Sequence, residues 1–158
     1  MDDLAEILRH TVETEEPLLR VITDAAASAS PGPGRWSGKQ ELGHLLDSAV
    51  NNRLRFVKAA LEGRFEGASY DPQGWVDLGG YNQMPWSGLV DLWKGANLSL
   101  AILISRIPDD RRSAECRIGE SLVASLEFVV NDYVQHVQHH LDHILGREHV
   151  RSYASAKK

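Results

Sequence analysis

Four of the chain's seven histidines stand close together near its end: His136, His139, His140 and His143. His136 and His140 are four residues apart, which on a helix of 3.6 residues per turn separates them by only about 40° around the axis. Two imidazoles so placed can converge on one point, the arrangement that puts two neutral nitrogens on a divalent ion. A lone buried histidine is ordinarily a neutral core residue with hydrogen-bond partners. Here the helix's inward stripe runs Leu122, Leu126, Val129, Tyr133 and then lands on His136, His140 and His143. Each ring brings two nitrogens that need partners in a dry setting, and an ion relieves the problem by taking one lone pair from each.

A third ligand has to come from another helix. His44 is the remaining histidine deep inside a helical segment, since His10 lies near the chain start and His149 past the close of the last helix. On an ideal wheel His44 sits beside Ser48, Asn51 and Arg55 rather than at the centre of an apolar face. Either that helix is rotated or bent near Gly43, or the site opens through a polar cleft, as a catalytic ion with an exchangeable position requires. Asp47, three residues after His44, and Asp132, four before His136, are candidates for fixing a ring tautomer; each could equally be a solvated charge. His143 reads as a partner of the ligands rather than a fourth ligand, and His139 as a surface or rim residue. Glu41-x-x-His44 has the form of half a di-iron motif, but Tyr133 stands where the second motif needs a glutamate, which favours one ion over two. Cys116 lies in a polar connector with no activating neighbour.

Holding these side chains takes long rods. Spacings of three and four predict helix one over about Asp2–Ser28, kinked or restarted at Pro17, and the linker Ser30–Gly34 ends it. Helix two opens at Ser37, an N-cap with Gln40 placed to complete a capping box, and runs to Gly63. The stretch Arg64–Trp86 is non-periodic and reads as a long functional loop, a lid or pocket wall. Helix three follows Ser87 as N-cap, repeats through Leu89, Trp93, Ala96, Leu100, Leu103 and Ile107, and stops at Pro108. After the polar stretch Asp109–Glu120, helix four covers about Ser121–Leu145, with Gly146 placed to close it. Helices of roughly 25 residues are about 35–40 Å long. Four such rods predict an all-α four-helix bundle with a long loop between helices two and three. Residues 1–150 make one domain and 151–158 a frayed tail.

Composition narrows the function. With 158 residues, 42% apolar and 25% charged, the chain suits one globular domain. A formal charge of −5 with no basic stripe argues against nucleic acid. One cysteine excludes an internal disulfide framework and fits a reducing compartment. The N-terminus MDDLAEILRH lacks the pattern of a secretory signal, and uninterrupted apolar runs are short, so a cytoplasmic protein without a membrane partner is expected.

Trp36-Ser37, Glu41-Leu42-Gly43-His44-Leu45 and His136-Val137-Gln138-His139-His140-Leu141-Asp142-His143-Ile144 together resemble the DinB/YfiT-like superfamily. One histidine early in helix two and a His-x-x-x-His pair in the last helix are its most specific mark. The resemblance implies a homodimeric bundle with one divalent transition metal, nickel or zinc, on His44, His136 and His140. It further implies S-transfer from a low-molecular-weight thiol such as bacillithiol or mycothiol to an electrophilic substrate, or a metal-dependent hydrolase. Gln40 departs from the acidic residue many members have, and the Arg64–Trp86 loop matches no motif, so the substrate stays open. A non-catalytic metal-binding dimer fits the same residues, because fold does not fix function. No Ser or Cys stands in an evident triad, so in an enzyme the ion would carry the activation.

Overall fold

The amphipathic runs become helices whose apolar stripes meet in the interior. The computed structural model describes residues 1–120 and 122–147. In chain order the elements are α1 (Asp2–Arg20), α2 (Asp24–Ser28), α3 (Gly38–Glu62), β1 (Arg64–Gly67), α4 (Pro72–Gly79), α5 (Trp86–Ser105), β2 (Glu115–Ile118), β3 (Leu122–Ser125) and α6 (Leu126–Ile144). Both α1 and α3 pack against α5 and α6, so the four long helices close a ring around one core. Leu8, Leu45, Phe56, Trp93, Ile104 and Leu141 are among its fully buried side chains. Burial of one such side chain contributes about 1.5–3 kcal/mol, several times the propensity difference between ordinary helix residues. The stripes therefore decide the bundle.

The expected four-helix bundle stands, with three local differences. First, α1 does not break at Pro17. That proline lies on the exposed face, where water can satisfy the carbonyl it frees. The chain restarts after Ile22 instead, where the Thr23 hydroxyl accepts from the Ala26 amide at 3.2 Å. Second, α5 begins at Trp86, one residue before the expected cap at Ser87. Its first amide donates to Asp24 Oδ1 at 2.8 Å, a cap supplied from 62 residues away that no local pattern could reveal. Third, a three-stranded sheet sits where α3 ends and α6 begins. In it β1 runs parallel to β2 (Arg64 opposite Glu115) and β2 antiparallel to β3 (Glu115 opposite Ser125). Residues 122–125 are thus strand rather than helix, and α6 starts at Leu126 behind the Ser125 cap. The expected helix start at Ser121, the tail 151–158 and His149 lie outside the described residues.

Two expectations hold in detail. Ser37 and Gln40 form a reciprocal capping box, and Gly63 closes α3 at φ +77°. By length and composition α5 could cross a membrane, with a mean hydropathy of 1.2, although no uninterrupted apolar run predicts this. In the bundle it buries Leu89, Trp93, Leu100 and Ile104 against its neighbours.

The stretch after β1 is ordered. It forms α4, capped by Asp71, and a single 3-10 turn at Tyr81–Gln83. The Tyr81 ring lies against α3 at Gly43, where an added Cβ would come within 2.0 Å of it. Its hydroxyl donates to Asp47 Oδ1 at 2.5 Å. Gly43 therefore provides a close approach rather than a bend. Within a helix Gly→Ala normally stabilises by about 0.5–1 kcal/mol. Here the collision should win: Gly43→Ala is expected to lower unfolding free energy by about 1–3 kcal/mol. In a Tyr81→Ala background the same change should instead stabilise, and denaturant titration of the four proteins checks the reversal.

Candidate metal centre

α3 and α6 run antiparallel, bringing the start of one beside the end of the other. His44 near the start of α3 thereby meets His136 and His140 near the end of α6. His44 Nε2 and His136 Nε2 are 3.0 Å apart. The ring centroids lie at 5.0 Å (His44–His136), 4.6 Å (His44–His140) and 4.4 Å (His136–His140). One nitrogen from each ring falls within 4.8 Å of the other two. Nitrogens bound at 2.0–2.1 Å to a tetrahedral ion sit about 3.3 Å from one another; the His44–His136 pair is already at 3.0 Å, and the other pairs lie within 4.8 Å. The donor set fits a borderline ion such as zinc or nickel.

Protonation favours the same use. Burial holds His136 well below the usual value of 6.5, assisted by the neighbouring His140 and His44. Burial lowers His140 to about 3, with His143 adding to the effect. Both rings are neutral near pH 7 and offer lone pairs. Only Leu126, Val129 and Tyr133 of the expected inward stripe of α6 are core residues beyond the strand. The buried line then passes to Val137 and Leu141, and the imidazoles border a cavity instead.

That cavity has a volume of about 490 Å³ and extends along the α3–α6 groove to the sheet. Of the neighbours expected beside His44, Ser48 and Arg55 line this polar cleft together with Asn52, whereas Asn51 donates to the Asp47 carbonyl at 2.8 Å. Ser48 Oγ lies 3.4 Å from His136 Nδ1. The Trp36 ring covers the rings from one side, 5.0 Å from His44 and stacked at 6.4 Å on His140. Ser69, Tyr70 and Pro72, from the stretch read as a pocket wall, do line the cavity.

A carboxylate that meets one of these rings is Glu41. One of its oxygens contacts His140 Nδ1, which leaves Nε2 of that ring for the three-histidine cluster. The other lies 3.5 Å from His143 Nδ1, so His143 partners the carboxylate rather than a ligand. Burial raises the Glu41 pKa against the opposing pull of His143, His139 and Arg35. Sequence reading weighed Glu41 only as half of a di-iron motif. The usable signal was its position one turn before His44, on nearly the same face. Of the two aspartates expected near the rings, Asp47 has another partner. Asp47 accepts from Tyr81 and carries a raised pKa through burial. Asp132 lines the cavity, half-buried, further along α6. His139 stands at the cavity edge with its ring 4.2 Å from His143, as a rim residue. Cys116 is buried in β2, and burial pushes its thiol up to about 11, which leaves it unactivated.

Comparison with known proteins agrees with the fold. The sequence pattern of the DinB superfamily matches residues 7–144. YfiT of Bacillus subtilis (strain 168), named as a candidate metal-dependent hydrolase, is 24% identical over 144 residues, 90% of this chain and 81% of that protein. A similarly named protein of Bacillus pumilus (strain SAFR-032) is 27% identical over 150 residues, 91% and 80% of the two chains. The solved structure of YfiT, described as a probable metal-dependent hydrolase with an unusual four-helix bundle topology, superposes with a TM-score of 0.81 at 25% identity, covering 92% of this chain and 85% of that one. A mycothiol-dependent maleylpyruvate isomerase shares the fold at a TM-score of 0.71 and 13% identity, covering 88% and 58%.

Two measurements probe this arrangement. Glu41→Gln removes the charged partner of His140 and should weaken nickel or zinc affinity by about 10–100-fold with helix content unchanged, read by competition with a chromophoric chelator. In metal-free protein the unfolded chain takes up protons on its histidines below about pH 6.5. Folded His140 stays neutral down to about pH 3. The unfolded state therefore binds more protons throughout that window, and stability falls as pH is lowered across it. Denaturation midpoints should show a shallower acid slope in His140→Gln than in wild type; equal slopes would count against a buried neutral ring.

Proposed function

The chain belongs to the DinB superfamily, and on that premise we propose that it is a metal-dependent enzyme. In this reading His44, His136 and His140 hold one divalent transition ion, zinc or nickel, that activates a small nucleophile. The supporting observation is the convergence of three imidazoles from two helices at the wall of a large cavity. When bound, such an ion supplies Lewis acidity that lowers the pKa of a thiol or water toward neutrality. The chain does the rest. Glu41 holds the His140 ring in one tautomer and orientation. Trp36 shields the ring cluster on one side. The polar cleft beyond His44 keeps room for a second reactant.

The favoured nucleophile is a low-molecular-weight thiol attacking an electrophilic carbon. A cavity of about 490 Å³ holds a thiol cosubstrate beside an electrophile, where water would need far less. An imidazole-ligated borderline ion also accepts a thiolate well. The shared fold of a mycothiol-dependent enzyme supports the same choice. Hydrolysis is the second reading, favoured by the names of the two Bacillus relatives. In it the same residues act and water replaces the thiol.

Elemental analysis of purified protein should find about one transition metal per chain, and His44→Ala or His140→Ala should remove it with helical circular dichroism retained. Metal-loaded wild type, and neither variant, should accelerate loss of monobromobimane in the presence of an added thiol. Unchanged metal content in both variants would reject the ligand assignment. Acceleration of ester cleavage but of no thiol conjugation would select the hydrolytic reading.

A further inference from the structure

The cavity has a second pole. Arg55 follows His44 by eleven residues, three turns of α3, so the two side chains share a face to within about 20° and their Cα atoms lie about 16 Å apart. Both line the same cavity. The Arg55 guanidinium is half-buried there, and its Nη1 donates to the Asn52 amide oxygen at 3.3 Å. No carboxylate among the described residues stands within ion-pair distance of it. Asp132, Tyr70 and Cys116 act on it only at longer range, and burial pushes its pKa down from the ordinary arginine value. A guanidinium stays charged at every physiological pH. A half-desolvated cation with one neutral hydrogen bond is a cost to folding, and most of its five donors are left for something else.

We propose that Arg55 is a specificity determinant that binds the carboxylate of a small anionic ligand in this cavity. The planar fork of the side chain matches two carboxylate oxygens. The separation along α3 suits a molecule several bonds long, with its reactive end toward the histidines and its charge toward Arg55. Ser48 and Asn52 lie between the two poles and offer neutral polar groups along the path. The placement of the reactive end rests on the metal reading above; recognition of the anion by Arg55 does not. The carboxylate can belong to the thiol or to the electrophile, and the test separates these sources.

Two probe pairs distinguish them by calorimetry: 4-ethylbenzoate against 4-ethylbenzamide on metal-free protein, and mercaptosuccinate against 2-mercaptoethanol on nickel-loaded protein. Wild type should prefer the carboxylate member of at least one pair by about tenfold or more. Arg55→Met should abolish that preference, with affinity for the uncharged probe and nickel content unchanged, and Arg55→Lys should keep part of it. A preference confined to the thiol pair places the carboxylate on the thiol; one in the benzoate pair places it on the electrophile. Equal binding within both pairs in wild type, or an undiminished preference in Arg55→Met, overturns the proposal. If nickel does not bind, the metal reading fails and the benzoate pair still decides the role of Arg55.

Discussion

The site depends on the antiparallel packing of α3 against α6. Neither helix carries the whole cluster: α6 offers two imidazoles one turn apart, and α3 offers the third together with Glu41. The apolar stripes that press these helices together also set how far one can slide along the other. Each buried side chain at that seam contributes on the order of 1.5–3 kcal/mol. Packing therefore fixes the position of the histidines, and the histidines adapt to it.

The polar groups around the rings follow from that position. Three imidazoles crowded into a half-dry wall cannot all be charged, and burial keeps His136 and His140 neutral. Glu41 faces them, touching His140 with one oxygen and approaching His143 with the other. Neutral rings with one nitrogen already engaged are the state in which imidazoles bind a cation, so the environment pre-selects the ligating form. Asp47 accepts from Tyr81, and Asp132 lines the cavity one turn before His136.

Much of this was legible from the residues alone. The histidine spacing, the Ser37–Gln40 capping box and the Gly63 stop are local signals, and the structure places each of them as read. His44 beside Ser48 and Arg55 on an ideal wheel looked like a conflict with the core, and it marked the polar cleft. What escaped were features set by partners far away in sequence. The α5 cap comes from Asp24. Three strands of four residues each carry too short an alternation to stand out, and they form where the end of α3, the connector and the start of α6 come together. The carboxylate role of Glu41 was hidden for the same reason, since its partner lies 99 residues on.

The small sheet ties the end of α3, through β1 and β2, to the strand that feeds α6. The long excursion between β1 and α5, which carries Tyr70, α4 and Tyr81, leaves from one side of this clasp and returns to the bundle at Trp86. Its length and sequence can thus vary while the clasp keeps the two histidine-bearing rods in register. A lineage built on this frame could exchange that excursion, and with it one wall of the pocket, without rebuilding the imidazole cluster. Diversification of reactants and preservation of the centre would then fall to separate stretches of chain.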